Sequence, residues 1–253
     1  MRTFALAILL PLLAAAGLTL GGCDVGPTER YVLEAVPPGA DDLTDSRVPV
    51  ATLVDQSIPV LTRRLNDVAI SVESATREGD DRLVLDVAGV QSRRAIEALI
   101  GNNVEVDLKP VDINVDPVGL MQGIIPPGSV LLPRADSDMP IAVRKFGGLR
   151  RLEIVEARVG FNPQTNQRVV IMQLSEAGTK KLASLSQANV GKPLAFVING
   201  EVMSAPIIAE PIVGGSFSVP GNFTEEQASI LAAMLTSGAL PTFFRIVVEG
   251  TVK

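Results

Sequence analysis

Residues 191–241 read GKPLAFVINGEVMSAPIIAEPIVGGSFSVPGNFTEEQASILAAMLTSGALP and carry the strongest local structural signals in the chain. Leu194–Ile198 is a short apolar run, and the Asn199-Gly200 pair after it readily adopts positive φ at both centres of a type I′ turn. These signals predict a β-hairpin whose return strand is Glu201–Ser204. Because Pro206 lacks an N–H and favours an extended residue before it, the return strand is predicted to lie on a sheet edge or to stop there.

The second half of this stretch predicts a capped helix. The Thr224 side chain can accept a hydrogen bond from the first free N–H groups, and Gln227 can reach back to complete a capping box. Gly238 is placed to end the helix in a left-handed turn, and Pro241 prevents its continuation. The apolar residues that fall on one helical face are Ala228, Leu231, Ala232 and Leu235.

The stretch resembles the head of the first periplasmic domain of SecD, the accessory membrane protein of the Sec translocon. Upstream, Ala157–Asn162 and Leu174–Asn189 resemble the strand and helix that precede this part of the head, and Arg82–Val90 resembles a strand and turn of its ferredoxin-like base. The resemblance extends from about Leu65 to the C-terminus and is strongest over 157–241. It implies an α+β fold in which a ferredoxin-like base subdomain carries an inserted α+β head subdomain.

The resemblance also implies a function for the head. We expect a protein similar to this domain to bind translocated or unfolded polypeptide transiently. The binding would use apolar surface and backbone hydrogen bonds at a free strand edge, which we place near Ser204–Pro211. Implied partners are the Sec translocon or a separate membrane protein of the SecD or SecF type. The family-motif positions of the head fold, which include this candidate edge, are Gly191, Lys192, Asn199, Gly200, Ser204, Ala205, Pro206, Pro211, Gly214, Gly215, Gly221, Asn222, Phe223, Gly238 and Pro241.

The N-terminus resembles a bacterial lipoprotein signal. Arg2 precedes an apolar run over 4–20, and small residues lead directly to Cys23, the only cysteine in the chain. Cys23 cannot form a disulfide within one molecule, so its predicted use is lipidation. An ordinary signal peptide or an uncleaved anchor helix is the alternative. Asp24 resembles an inner-membrane retention signal, so the expected location is the periplasmic face of the inner membrane, with the outer membrane as the alternative.

The predicted organisation has four parts. They are a signal peptide over 1–22, a tether over 23–44 with a possible first base strand at Tyr31–Val36, a ferredoxin-like base over 45–112 completed by 243–253, and a head over 113–242. The predicted base elements are a helix over 51–65, kinked or cut by Pro59, strands over 68–72, 83–87 and 104–108, a helix over 93–100 and a returning strand over 243–252. The proline-rich segment 114–148 is predicted to be irregular. It either binds extended polypeptide or covers the hinge between base and head.

The membrane-spanning half of SecD is expected to be missing. No segment after Pro241 is long and apolar enough to span a bilayer. In the family that half carries the proton-conducting residues, so we expect this chain not to couple export to the proton-motive force itself. The Asp-Leu-Arg-Gly-Gly run that family members carry near the start of the periplasmic domain is also not found in this sequence.

Composition excludes several classes of function. The net charge is −6 with no basic stripe, which disfavours nucleic-acid binding. Aromatic residues make up 4% of the chain and tryptophan is absent, which disfavours carbohydrate and single-strand stacking platforms. There is no histidine, so the usual general base and zinc ligand are missing and no Ser-His-Asp arrangement can form. We therefore predict a non-catalytic protein without cofactor or metal.

Other candidate catalytic groups have a simpler interpretation. The carboxylate pairs Asp41-Asp42, Asp80-Asp81 and Glu225-Glu226 fall in turns or a first helical turn, where acids favour solvation and the helix dipole. Ser204 and Lys192 lack the SxxK spacing of a Ser-Lys nucleophile. A small-ligand site would need a deep polar pocket between base and head.

Two functional hypotheses follow. The first is a lipid-anchored periplasmic module, similar to the SecD first periplasmic domain, that binds polypeptide transiently and assists Sec-type export or envelope protein biogenesis. The alternative keeps the fold and makes the chain a structural or interaction lipoprotein that docks on another envelope protein through the same head.

Overall fold

A computed structural model describes residues 27–36, 48–101, 103–116, 119, 124–150, 152–162, 167–220 and 223–252. The predicted signal peptide, Cys23, Asp24, Asp41-Asp42, Gly221 and Asn222 lie outside these residues. The helices are α1 (Val50–Asn66), α2 (Arg93–Gly101), α3 (Glu176–Ala188) and α4 (Glu225–Ser237). The strands are β1 (Glu29–Val36), β2 (Ser71–Glu78), β3 (Arg82–Ala88), β4 (Val106–Pro110), β5 (Ser129–Arg134), β6 (Ser137–Arg144), β7 (Ile154–Phe161), β8 (Arg168–Leu174), β9 (Leu194–Ile198), β10 (Glu201–Ser204), β11 (Ser216–Pro220) and β12 (Phe243–Thr251).

The base is an antiparallel sheet of order β12-β1-β3-β2 with α1 and α2 packed on one face. Alternate residues of β1 and β3 point into the core, where Leu33 and Leu85 meet Leu61 and Leu99 of the helices. This is the strand order of a ferredoxin-like unit, and it confirms the predicted α+β fold. Helix α1 continues through Pro59, so the alternative in which that proline cuts the helix is wrong.

One predicted base strand lies in the head instead. Residues 104–108 were expected in the base sheet, but β4 pairs with β9, and β12 takes the position beside β1. The prediction is wrong because a short alternating strand carries no local signal for its sheet, whereas β12 is long enough to pair with β1 along its whole length. All of β4–β11 and α3–α4 is therefore inserted between α2 and the last base strand. The proposed subdomain boundaries remain predictions.

The head contains two sheets, of order β4-β9-β10-β5-β6 and β11-β8-β7. The larger sheet curls so far that Val111, directly after β4, forms a bridge with Val143 of β6. Its concave side buries a small apolar cluster that includes Val143, Ala195 and Val202. The smaller sheet packs with α4 around Val170, Met172 and Leu231.

Two strands of the larger sheet fall in the segment that was predicted to be irregular. Residues 129–144 of the proline-rich segment form the β5–β6 hairpin. Pro133 lies at a register shift in β5, and Pro140 lies in β6 at the edge of the sheet. Bulges and edges are the positions where a strand tolerates proline, because no ladder hydrogen bond is lost there. The prolines were therefore misinterpreted as breaking the strands.

The predicted hairpin is confirmed, with one correction. Asn199 and Gly200 both have positive φ, at 48° and 83°, and Glu201 pairs with Ile198. However, β10 lies between β9 and β5, so the alternative that places it on a sheet edge is wrong. The strand stops at Ser204, directly before Ala205-Pro206, as the other alternative predicts.

Helix α4 lies between the two subdomains. Its predicted apolar face packs on the head core, while Ala233 and Met234 on another face join the base core. The capping box of Thr224 and Gln227 is confirmed. Gly238 has φ 83° as expected but ψ −175°, so the helix ends in an extended, glycine-specific conformation and not in the predicted left-handed turn. No helix of the described residues has the length and apolar character needed to cross a bilayer.

Candidate functional site

Several predicted site residues meet where the chain leaves β10. The segment 205–208 runs alongside 190–194 and is fixed to it by backbone hydrogen bonds. Gly191 N donates to Ile208 O at 2.8 Å, Ile208 N to Lys192 O at 3.1 Å, and Leu194 N to Pro206 O at 3.0 Å. The structure therefore brings Gly191 and Lys192 next to Ile208, and Leu194 next to Pro206, and these bonds hold both backbones in place.

Apolar side chains project into solvent from this segment and from the residues that follow it. Ile207 is 69% exposed and Val213 is 71% exposed. The segment is held by Ile208, which is buried, and by Ile212, whose N–H donates to Ser186 Oγ of α3 at 2.8 Å. We call the exposed set Val190, Ile207 and Val213 the Ile207 ridge.

The ridge leads directly into a strand edge. Strand β11 lies at the edge of its sheet, and the Leu174 N–H of β8 donates to Gly215 O at 2.9 Å. Because successive residues of a strand direct their backbone groups to opposite sides, Ser216 and Ser218 direct theirs away from β8. Both serine side chains are exposed. Pro220 has no N–H to offer, so the open edge is short.

The remaining predicted site residues have structural roles or lie exposed. Gly215 has φ 66°, and a Cβ there would lie 2.1 Å from Thr179 Oγ1, while Gly214 has open space around its Cα. Phe223 packs partly buried against the head core. Ser204 is half-buried, and the Lys192 and Pro211 side chains are exposed.

A cleft of about 760 Å³ separates base and head and is lined by Val36, Leu152, Leu240, Pro241 and Phe243 among other residues. Its polar side chains have partners. Asn103 holds the Leu240 backbone through Nδ2 and Oδ1, Thr242 donates to Val36 O, and Glu153 accepts from Ser175 and Lys181. The Ser175 and Lys181 contacts hold the pKa of Glu153 below its usual value. Most of the residues that line the cleft are apolar, whereas a small-ligand site would need a deep polar pocket.

The carboxylate pairs inside the described residues are placed as solvated groups. Asp80 and Asp81 are exposed beside the β2–β3 turn. Glu225 pairs with Arg168 at 3.0 Å, and Glu226 accepts from Ser92 Oγ at 2.6 Å. Among the residues that the structure describes, no three acidic, histidine or cysteine side chains are grouped so as to hold a metal ion.

A second exposed apolar surface lies mostly within the segment 114–148, which was predicted either to bind extended polypeptide or to cover the hinge, but its phenylalanine was not singled out from the sequence. Phe146 is 80% exposed in the loop after β6, and Ile113, after β4, and Ile124 and Ile125, before β5, are also exposed. Three loops meet here, because Lys145 N donates to Gly128 O at 2.9 Å and Ser129 Oγ donates to Asp112 Oδ2 at 2.6 Å. We call these four apolar residues the Phe146 patch. The available signal was the stretch RKFGGLRR at 144–151, which surrounds a phenylalanine with cations.

Comparisons with known proteins agree with this architecture. Residues 129–242 match the family model of the SecDF P1 head subdomain. The chain is 32% identical to protein translocase subunit SecD of Acetobacter pasteurianus over 201 residues, which cover 79% of this chain and 38% of that protein. It is 33% identical to SecD of Desulfurispirillum indicum over 212 residues, covering 79% of this chain and 40% of that protein. The chain thus spans about two-fifths of the length of these relatives.

Two solved structures share the fold. A crystal structure of SecDF in a super-membrane-facing form superposes with a TM-score of 0.62 at 22% identity, covering 90% of this chain and 30% of that one. A second structure, of a SecDF described as a membrane component that enhances protein export, gives a TM-score of 0.57 at 23% identity and covers 87% of this chain and 98% of that one.

Proposed function

We propose that this chain assists Sec-type protein export or envelope protein biogenesis. The proposal starts from its SecDF P1 head subdomain and its similarity to the first periplasmic domain of SecD. It binds translocated or unfolded polypeptide transiently and has no catalytic centre. Cys23 anchors it by lipid to the periplasmic face of the inner membrane. The Sec translocon or a separate SecD/SecF-type membrane protein is the proposed partner.

The observation that supports polypeptide binding is the Ile207 ridge. Exposed aliphatic side chains on a surface segment are common, but here both neighbouring backbones are fixed by hydrogen bonds. A fixed apolar surface binds without first being ordered, so less conformational entropy is lost on binding. Apolar contacts also require no particular client sequence, which suits a protein that meets many polypeptides.

The β11 edge adds a second mode of contact. An extended client can donate to and accept from the outward backbone groups of Ser216 and Ser218, as an added strand does. Because the open edge is short and Pro220 limits it, only a few such bonds can form. We therefore propose weak and reversible binding, because a polypeptide that is being exported has to be released again.

Photo-crosslinking in living cells tests this site. A photo-reactive residue at Ile207 or Ser216 is expected to capture secreted polypeptides during export. Thr76 is the matched control, since its side chain is exposed on β2, which is also an edge strand but is rich in charged residues. If the Thr76 variant captures the same clients at the same yield, the proposed binding site is wrong.

The interaction-lipoprotein alternative has its own observation. On the open face of the base sheet, Val32 pairs with Val84 on one side and Val248 on the other. Ion pairs between Arg30 and Asp86 and between Arg245 and Glu34 flank this row of valines. A single stoichiometric partner in pull-down experiments, lost on substituting Val248, would favour docking over transient client binding.

A further inference from the structure

We propose that the Phe146 patch selects polypeptide segments in which apolar residues are flanked by acidic ones. This inference rests on the proposed function and adds a substrate class to it. The patch combines exposed aliphatic and aromatic surface with cations, and each part requires a complementary feature in the client.

The cations are concentrated around the patch. Residues 144–151 contain four arginines and lysines and no acidic residue, in a chain whose net charge is −6. The side chains of Arg144, Lys145 and Arg150 are exposed. An acidic segment is therefore attracted here, although the chain as a whole repels it.

The acidic groups near the patch hold its loops together. Asp112 accepts from Ser129 Oγ and from Asn114 N at 3.2 Å. These bonds, together with the nearby Arg144, hold the pKa of Asp112 below its usual value. Asp116 accepts from Gly119 N at 3.2 Å. Asp112 offsets part of the Arg144 charge, so Lys145 and Arg150 supply most of the attraction.

The loop that carries Phe146 has a fixed base. Lys145 N is bonded to Gly128 O, and Leu149 exchanges backbone hydrogen bonds of 2.8 Å with Leu108 of β4. Gly148 lies so close to β4 that an added Cβ would be 2.3 Å from Leu108 O. The phenylalanine ring is thus presented at the tip of a short loop that is held at both ends.

The position of the patch favours polypeptide over lipid as its occupant. Val36, the last residue of β1, lines the cleft against the head, whereas Glu29 begins β1 at the other end of the same strand. The chain therefore enters β1 at the end of the base that lies away from the head. On the proposed anchor, the head and its patch point away from the bilayer.

The substitution Phe146→Trp introduces a fluorescent reporter of binding at this patch alone, because the chain has no native tryptophan. In the full chain with Phe146→Trp, two peptides with the same apolar centre are compared, one flanked by glutamates and one by lysines. The glutamate peptide is expected to shift the tryptophan emission to the blue. We expect it to bind about tenfold more tightly than the lysine peptide at low salt, with the difference shrinking at high salt.

Two variants provide the controls. Adding Lys145→Glu to Phe146→Trp is expected to remove or reverse the charge preference, because one attraction becomes a repulsion. Phe161→Trp places the reporter at another exposed phenylalanine, 60% accessible in β7 and also next to a cation, Arg168, and its emission is expected to stay constant. Unchanged urea midpoints verify that the variants fold.

The outcomes separate this inference from the proposed function. Anisotropy of labelled peptide reports binding anywhere on the chain. If neither peptide binds, the proposed function fails and this inference with it. If peptides bind but the emission of the Phe146→Trp variant does not change, or changes equally with both, the inference is overturned while the proposed function stands. An emission shift with anionic phospholipid vesicles but not with peptides would also overturn it, by making the patch a lipid site.

Discussion

Gly215→Ala is expected to lower the free energy of unfolding by about 3 kcal/mol, from about 1–2 kcal/mol of backbone strain and a similar cost of steric overlap. The strain arises because Gly215 has φ 66°, and the overlap because the new Cβ would lie 2.1 Å from Thr179 Oγ1 and 3.0 Å from its Cβ and Cγ2. Urea unfolding of the full chain, followed by circular dichroism, measures the change.

The neighbouring glycine is the matched control. Gly214→Ala adds the same methyl group where nothing lies within 4 Å and no positive φ is required. Its effect is expected to stay within about 0.5 kcal/mol. Combining Gly215→Ala with Thr179→Ala is expected to recover most of the steric part of the loss, because Oγ1 and Cγ2 are removed while the Cβ contact at 3.0 Å remains, but not the backbone strain. Equal effects of the two single alanine variants would contradict this account of the glycine pair.

Arg64→Met is expected to cost about 3–5 kcal/mol of unfolding free energy, because it leaves buried polar groups without a charged partner. The Arg64 side chain is fully buried in the last turn of α1. Its guanidinium donates to Leu99 O of α2 at 2.7 Å, to Gly238 O after α4 at 2.7 Å and to Ser237 Oγ at 3.0 Å. The Arg64 cation thus offsets the partial negative charge at the C-terminal ends of both α2, in the base, and α4, which lies between base and head.

Two substitutions make the Arg64 experiment selective. Arg63→Met changes an exposed side chain one residue earlier and is expected to have little effect. Arg64→Lys keeps a charge but loses the planar fork, so an intermediate loss is expected. Burial lowers the pKa of Arg64 to about 10, so the group remains cationic at neutral pH. If the Arg64→Met and Arg63→Met variants unfold at the same urea concentration, the Arg64 guanidinium does not stabilise the contact of α1 with α2 and with the end of α4.

Local signals in the sequence predicted the elements that depend on neighbouring residues. The type I′ turn at Asn199-Gly200 and the capping box of Thr224 and Gln227 both involve groups at most three residues apart, and both are found in the structure. Their physics is complete within a few residues, so the sequence is sufficient to predict them.

Features that depend on distant residues could not be predicted in this way. The alternation of β4 indicates a strand but not that its partner is β9, almost ninety residues later. One of the two alternatives for β10 placed it at an edge, because nothing local to it indicates the parallel contact between Val202 and Arg134 of β5. For the candidate site, the sequence placed Ala205-Pro206 correctly at the end of a strand. It did not predict that β11 supplies the open edge, or that Phe146 is exposed.

The insertion of the head between α2 and β12 also constrains the order in which the molecule folds. During synthesis all residues of the head emerge before Phe243. Strand β1 pairs with β12, which follows it by more than two hundred residues, as the Glu29–Thr251 pair shows. Contacts of such high sequence separation close late, because the entropy of a long loop is lost before they form. Until β12 pairs, one edge of β1 has free backbone groups that can pair with strands of other chains. A folded head attached to the base holds β12 close to β1 and so shortens the time to pairing.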